Sequence, residues 1–409
     1  MNVKNSVEPD WNLIFLSFLI SFCIFLNYFF WSVNFNQIIK SINFFTILFF
    51  LFYFFIGKKF KNYNYLRLFI ISLLVLSLGS VTVDWDARSM WAFHAKRIFL
   101  DDNLYAGFDK YMPELMNAYP LLPASLSATL AQIIGHWNEI YPKSTNILVL
   151  LPALFVQCSF LKNNKSILLW LMFILLFTAR NLVSGLMDGL VAMYFVTNCL
   201  IIYNLFIEEH LVYGKNSVEI NKNKITLFFS GVFCGIILSL LKNEGFVIII
   251  LLLLSTFLFK IYLKKKIRKR EIIFAILVFT PMFVWKLLAT YNDVYALAIG
   301  FNSFDQIILR LSEINSYKLV FRYLLLNEKF IIALLIFFFC IYKNFQNNKL
   351  VYSFVITNAL MYYITLYIVY LSTPYDLSWH LIGSSTRVMP TMVMILIFFS
   401  ISTFTKKKE

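Results

Sequence analysis

Residues 13–31 read LIFLSFLISFCIFLNYFFW, a run without a single charge whose small polar residues are Ser17, Ser21 and Asn27. Such a run, coiled as a helix, covers the hydrocarbon thickness of a bilayer. It is too long for the apolar region of a cleaved signal peptide, and no small-residue cleavage site follows it. The stretch therefore predicts a first transmembrane helix. The rest of the chain repeats the pattern. Of 409 residues, 60% are hydrophobic and only 14% charged, with 46 Phe and 23 Tyr and a mean hydropathy of +0.74. That balance excludes a soluble globular protein, a disordered chain and a nucleic-acid-binding domain. Gly is only 12 and Pro only 9, which excludes collagen-like and low-complexity classes. The apolar runs are long and continuous rather than short and alternating, so helices rather than a barrel are expected.

Twelve spans are expected, near 12–33, 41–57, 66–83, 144–161, 166–179, 185–206, 225–241, 246–263, 271–288, 330–342, 350–372 and 388–404. The fold class is thus an all-α polytopic membrane protein, with residues 1–409 forming one integral membrane domain. Basic clusters fix its orientation. They are Lys58, Lys59, Lys61 and Arg67; Lys162 and Lys165; Lys215, Lys222 and Lys224; Lys260 to Arg270; Lys343 and Lys349; and Lys406 to Lys408. With twelve spans all of them fall on the side of the N-terminus, which is read as cytoplasmic. That side carries 22 basic and 7 acidic residues, and the outer side 14 of each. The net charge of +15 is therefore a topology signal with an attraction to anionic lipid, and needs no nucleic-acid partner.

Two outer segments are long, 84–143 after the third span and 289–328, and long loops in a compact protein usually carry function. Leu121 to Trp137 is apolar, but counting it as a span would reverse all later orientations. It is read as a helix lying on or dipping into the membrane surface. The five cysteines (23, 158, 199, 234 and 340) all sit inside apolar runs, which argues against a disulfide framework or a metal cage. No internal repeat suggests the inverted halves of a transporter.

The chemistry-bearing residues cluster at outer span ends. Asp84-Trp85-Asp86-Ala87-Arg88 closes the third span. In an extended segment the i, i+2 spacing puts both carboxylates on one face, fit for sharing a metal ion or for a base and its supporting partner. Interfacial capping with Trp85 and Trp91 in an aromatic belt is the plainer alternative. Trp91, His94, Lys96 and Arg97 follow, in what reads as an interfacial helix. Tyr119 precedes Pro120 and Pro123, a turn that is structural or places Tyr119 in a pocket. Asp188 lies about one turn inside a span, where an ionisable group is costly and either functional or paired with Arg180. Lys242-Asn243-Glu244-Gly245 forms a tight outer turn, and His380 and Arg387 flank the last span. Each fits a lipid phosphate or plain snorkelling and capping. There is no Walker phosphate loop, HExxH, Gly-x-Ser-x-Gly or dinucleotide fingerprint. Together these acids and bases, at similar depth on one side, are what a lipid-phosphate substrate requires.

The chain resembles the GT-C glycosyltransferases, which use polyprenyl-phosphate-linked sugars as donors, and within them a bacterial subgroup of membrane glycosyltransferases. The resemblance rests on Asp84-Trp85-Asp86-Ala87-Arg88-Ser89-Met90-Trp91 with Ala95-Lys96, on Tyr119-Pro120, on Gly185 to Asp188, on Lys242 to Gly245, and on Trp379-His380 to Arg387. It departs in one respect: GT-C proteins place the acidic pair after the first helix, and here two further helices precede it. The resemblance implies transfer from a polyprenyl-phosphate sugar to a glycan, lipid or protein hydroxyl, with inversion. Asp86 is implied as general base, Asp84 as the second choice, and Asp188 as an orienting group. Arg88, Lys96, Lys242, Arg387 and His380 are implied to receive the donor phosphate, with Glu244, Arg180 and Tyr119 as further site candidates. No cofactor is required; Mg or Mn bridging Asp84, Asp86 and the phosphate is left open. The implied location is a bacterial inner membrane with cytoplasmic termini and a periplasmic site. Two other readings compete. A lipid or solute transporter would place its charges near mid-membrane and break its helices. A polysaccharide polymerase or ligase of another fold would rely on arginines and a histidine in a late loop, where this chain offers Arg310 and Arg322 but no His.

Overall fold

The computed structural model describes residues 8–82, 84–105, 117–161, 163–208, 217–292, 294 and 303–404. Lys162, Lys215 and Lys406–Lys408 of the basic clusters lie outside this set, as do 106–116, 293 and 295–302 of the two long outer segments. The helices are α1 (Trp11–Ser32), α2 (Gln37–Ile56), α3 (Asn64–Gly79), α4 (Phe93–Asp101), α5 (Leu122–Ile134), α6 (Thr145–Ser159), α7 (Asn164–Val183) and α8 (Asp188–Ile202). They continue with α9 (Ser217–Leu241), α10 (Asn243–Tyr262), α11 (Lys269–Tyr291), α12 (Ser303–Ser312), α13 (Ile314–Leu325), α14 (Glu328–Ser372), α15 (Leu377–Val388) and α16 (Pro390–Phe404). No strand occurs among the described residues. Nine helical stretches there are long and apolar enough to cross a membrane by length and composition. The protein is an all-helical, polytopic membrane protein.

Burial separates the helices by role. Every residue of α6 and α8, and every residue from Pro390 to Ile401 on α16, is buried. Helices apolar on all sides belong in the middle of a bundle. By contrast α2 exposes Phe45, Phe49 and Phe52, and α11 exposes Ile272, Ile276 and Phe283. Apolar surface of that extent suits lipid rather than water. Buried polar side chains tie the central helices together. The Trp31 indole donates to Thr129 Oγ1 at 2.8 Å, and Thr129 donates to Asn27 at 2.9 Å. Gln157 donates to the Met193 carbonyl at 2.8 Å and accepts from the Trp170 indole at 3.1 Å. Hydrogen bonds of this kind fix helix pairs where lipid supplies no hydrophobic drive.

These bonds narrow the reading of α5. Nearly every face of it is buried, and it packs against α1, α2, α4 and α6. It is inserted between helices, which agrees with a helix dipping into the membrane and not with one lying flat on its surface. Hydropathy alone does not distinguish the two, because Ser125, Ser127 and Thr129 bond inward instead of facing head groups.

The long α14 is two helices. Asn344 and Asn348 leave helical backbone angles, and the Tyr352 hydroxyl donates to the Cys340 carbonyl at 3.1 Å. Residues that far apart in a straight helix would be about 18 Å away along the axis. The chain therefore doubles back around 344–348, between the apolar stretches 330–342 and 350–372.

Alternate turns gather at opposite ends of the bundle. At one end the Tyr63 hydroxyl donates to Asp10 at 3.0 Å, the Asp10 amide donates to the Ser159 carbonyl, and Lys265 reaches the Ile207 carbonyl. At the other, Ser80 meets Val183, and the short turn between α9 and α10 presents Lys242 and Glu244. That turn leaves no room at Gly245, where a Cβ would stand 1.9 Å from the Leu238 carbonyl oxygen. Gly245→Ala is expected to push the start of α10 outward, costing at least the roughly 1–3 kcal/mol of an overpacked site. Size-exclusion chromatography in detergent should show less monodisperse protein and a lower melting temperature. Wild-type yield and melting would contradict the close approach.

Candidate functional site

Asp84 sits in a bend five residues past the end of α3 at Gly79, and Asp86 lies in the helical turn that follows. Ala87–Ala92 then adopts π-helical spacing before α4 begins. Wide turns of this type are frequent at functional sites, since they re-aim side chains. The extended segment expected for the acidic pair is absent. On a helical path, positions two apart point about 200° from each other. The two carboxylates accordingly take different partners. Asp84 Oδ1 accepts from Arg180 at 2.9 Å, and Asp86 Oδ2 accepts from Arg387 at 2.7 Å.

A second group lies beside the first. The Lys242 ammonium donates to Asp188 Oδ1 at 3.0 Å and pairs with Glu244 Oε1 at 3.2 Å. The Asp188 and Lys242 side chains are only 7% and 10% exposed, so this pair is effectively out of water. Burial works against the lysine's charge, but Asp188 and Glu244 outweigh it and hold the ammonium well above its ordinary pKa. Arg387 feels Asp188 and Asp84 as well as Asp86, which joins the two groups electrostatically. Tyr119 stacks on Trp91, with ring centroids 5.7 Å apart. Burial, reinforced by Glu244, pushes its phenol well above the usual range, so it remains a donor.

Three buried polar atoms of this cluster have no hydrogen-bond partner among the described residues: Asp84 Oδ2, Glu244 Oε2 and Arg387 Nε. Unmet groups of both signs in one buried place are rare in folded proteins. They give an incoming polar ligand two acceptors and a guanidinium donor.

The structure thus brings together Asp84, Asp86, Arg180, Asp188, Lys242, Glu244, Arg387 and Tyr119. His380 bonds outside the ion pairs, with Nδ1 2.8 Å from Thr373 Oγ1 and its ring edge-on to Tyr370, but it lies within electrostatic reach of Arg387, Lys242 and Asp86. Arg88 is exposed, and Lys96 faces Glu139 at 3.6 Å; neither is tied into the cluster. Arg310 donates to the carbonyls of Tyr370, Leu371 and Tyr375, so it caps the end of α14. The cysteines are all free and buried.

Sequence reasoning passed over three neighbours. Lys286 on α11 donates to Asn243 at 2.8 Å, and an ionisable residue inside an apolar run was the available signal. Tyr362 on α14 lies within electrostatic reach of Glu244, Asp188 and Lys242. Lys143 donates to the Ser80 carbonyl and hydroxyl, and burial lowers its pKa. Its Cβ would lie 3.7 Å from a Cβ on Gly185, whose φ of +93° turns the chain between α7 and α8.

Asp84 and Asp86 do not fit a shared metal ion in this arrangement, because each faces its own guanidinium. No group of three His, Cys, Asp or Glu suited to a metal occurs among the described residues. The chain matches no protein-family model, no curated protein and no solved structure. The site is therefore read from its own geometry.

Proposed function

We propose that this protein is a membrane glycosyltransferase of the GT-C kind. It moves a sugar from a polyprenyl-phosphate carrier to the hydroxyl of a glycan, lipid or protein. The reaction takes place at the outer face of a bacterial inner membrane, with twelve crossings and cytoplasmic termini. The observation that carries this reading is Asp86 held by Arg387 beside the buried Asp188–Lys242–Glu244 group. A carboxylate adjacent to a guanidinium with a spare donor suits an acceptor hydroxyl on one side and a phosphate on the other.

The chemistry needs few parts. Arg387 holds Asp86 through one nitrogen and offers Nε to a phosphate oxygen. The acceptor oxygen attacks the anomeric carbon as its proton passes to Asp86. The bond from that carbon to the phosphate oxygen breaks, and polyprenyl phosphate leaves with the electron pair. Arg387 and Lys242 stabilise the charge gathering on it. Attack opposite the leaving group inverts the anomeric centre. Asp188 acts through Lys242, which it fixes in place. No step is routed through a metal ion.

The test uses membranes containing the protein, incubated with a panel of polyprenyl-phosphate sugars, with membranes lacking the protein as the control. Mass spectrometry should show free polyprenyl phosphate with at least one donor, above the control. Folded protein that releases none from any donor would overturn the donor class.

A further inference from the structure

A groove of about 580 Å³ runs between α10 and α11, from Phe246 near the site just described toward the opposite end of the two helices. Its walls include Phe246, Phe257, Ala275, Phe279 and Phe283, and it ends at Ile267 beside Lys260 and Glu271. From Phe246 to Lys260 the helix rises about 21 Å. One leaflet of hydrocarbon is roughly half of 30 Å. The groove is therefore long enough for an extended acyl chain, and Phe257, Ile272, Ile276 and Phe283 leave it open to lipid.

The two ends differ in charge. At the Phe246 end, Lys286 is engaged by Asn243 and Lys242 by two carboxylates. At the Ile267 end the loop and the first residues of α11 read Lys264-Lys265-Lys266-Ile267-Arg268-Lys269-Arg270. Lys265 is bonded to the Ile207 carbonyl, and Arg270 to that of Leu205. Glu271, the acid in the groove wall, is already paired with Lys260. Lys264, Lys266 and Lys269 are exposed. An apolar slot one acyl chain long thus ends at Ile267, within three residues of each of three solvent-facing lysines.

We propose that this groove seats an acyl chain of an anionic phospholipid whose phosphate is held by Lys264, Lys266 and Lys269. The lipid belongs to the leaflet opposite the candidate catalytic cluster, because α10 begins at that cluster and ends at this loop. The site stands independently of the glycosyltransferase reading and requires only that the chain is a membrane protein.

Native mass spectrometry of the full chain, exchanged into detergent with equal phosphatidylglycerol and phosphatidylcholine, tests it. Wild type should retain one phosphatidylglycerol in preference. K264Q/K266Q/K269Q should lose that preference by roughly fivefold per lysine, on the order of 100-fold in all. Ala275→Trp, which fills the groove but keeps every lysine, should release the lipid as well. Equal retention of the two lipids by wild type, or a preference surviving the triple variant, overturns the phosphate site. Full retention by Ala275→Trp shows ordinary surface attraction and overturns the groove.

Discussion

Asp86→Asn is expected to leave the protein folded and to cut release of polyprenyl phosphate by on the order of 10²- to 10⁴-fold. The Asn side chain keeps the shape of Asp86 and an oxygen for Arg387, so packing around the pair changes little. It cannot take a proton from an acceptor hydroxyl, and that step then lacks a base. The Asp86 and Arg387 side chains are 22% and 25% exposed, so loss of their charge attraction also lowers the melting temperature, and the Asn oxygen limits that drop by keeping a hydrogen bond to Arg387. Asp84→Asn should do less, since Asp84 faces the largely exposed Arg180. Initial rates for both variants, with melting temperatures in the same detergent, separate chemistry from folding. An Asp86→Asn variant with wild-type rate would move the base to Asp84 or Asp188.

Lys242→Met is expected to be the most destabilising single change, by about 3–5 kcal/mol. Methionine fills the space of the lysine stem but leaves Asp188 as a buried, uncompensated charge and releases Glu244. Adding Asp188→Asn to Lys242→Met should recover much of the loss, because the stranded charge is removed with its partner. Thermal unfolding of the two single variants and the double variant measures the coupling; additive losses would show that the pair is not coupled. The pH dependence has a definite sign. A lysine whose folded pKa is raised contributes in full below its ordinary value of 10.5, and the contribution is lost only as pH climbs through the folded value. Lys242 therefore adds no slope to stability near neutrality.

How much of this was legible beforehand differs residue by residue. Asp188 was legible because a carboxylate within an apolar run is costly enough to need a reason. Its partner was also visible as a group, in the turn Lys242 to Gly245, but Arg180 was the expected mate. Arg180 instead meets Asp84, and Arg387 meets Asp86 across 301 positions of sequence. Hydropathy carries no information about such pairings. The bend at Asp84 and the π-helical turn after Asp86 also lie below what a period of two or 3.6 can show. The chain reversal at 344–348 was legible, since a polar interval between apolar stretches has only one economical place in a membrane protein. The insertion of α5 was only one of two alternatives, because small polar residues serve a membrane surface and a helix interface equally well.

The contact between Asp86 and Arg387 also sets an order of events during synthesis. A ribosome makes the acidic segment 301 residues before the guanidinium, so helices α1 to α14 exist before the two can meet. Until α15 emerges, Asp86 has no mate, and the candidate catalytic cluster remains without its arginine. The proposed transfer activity thus waits on the synthesis of residue 387, and a product halted before that point would be inserted yet inert.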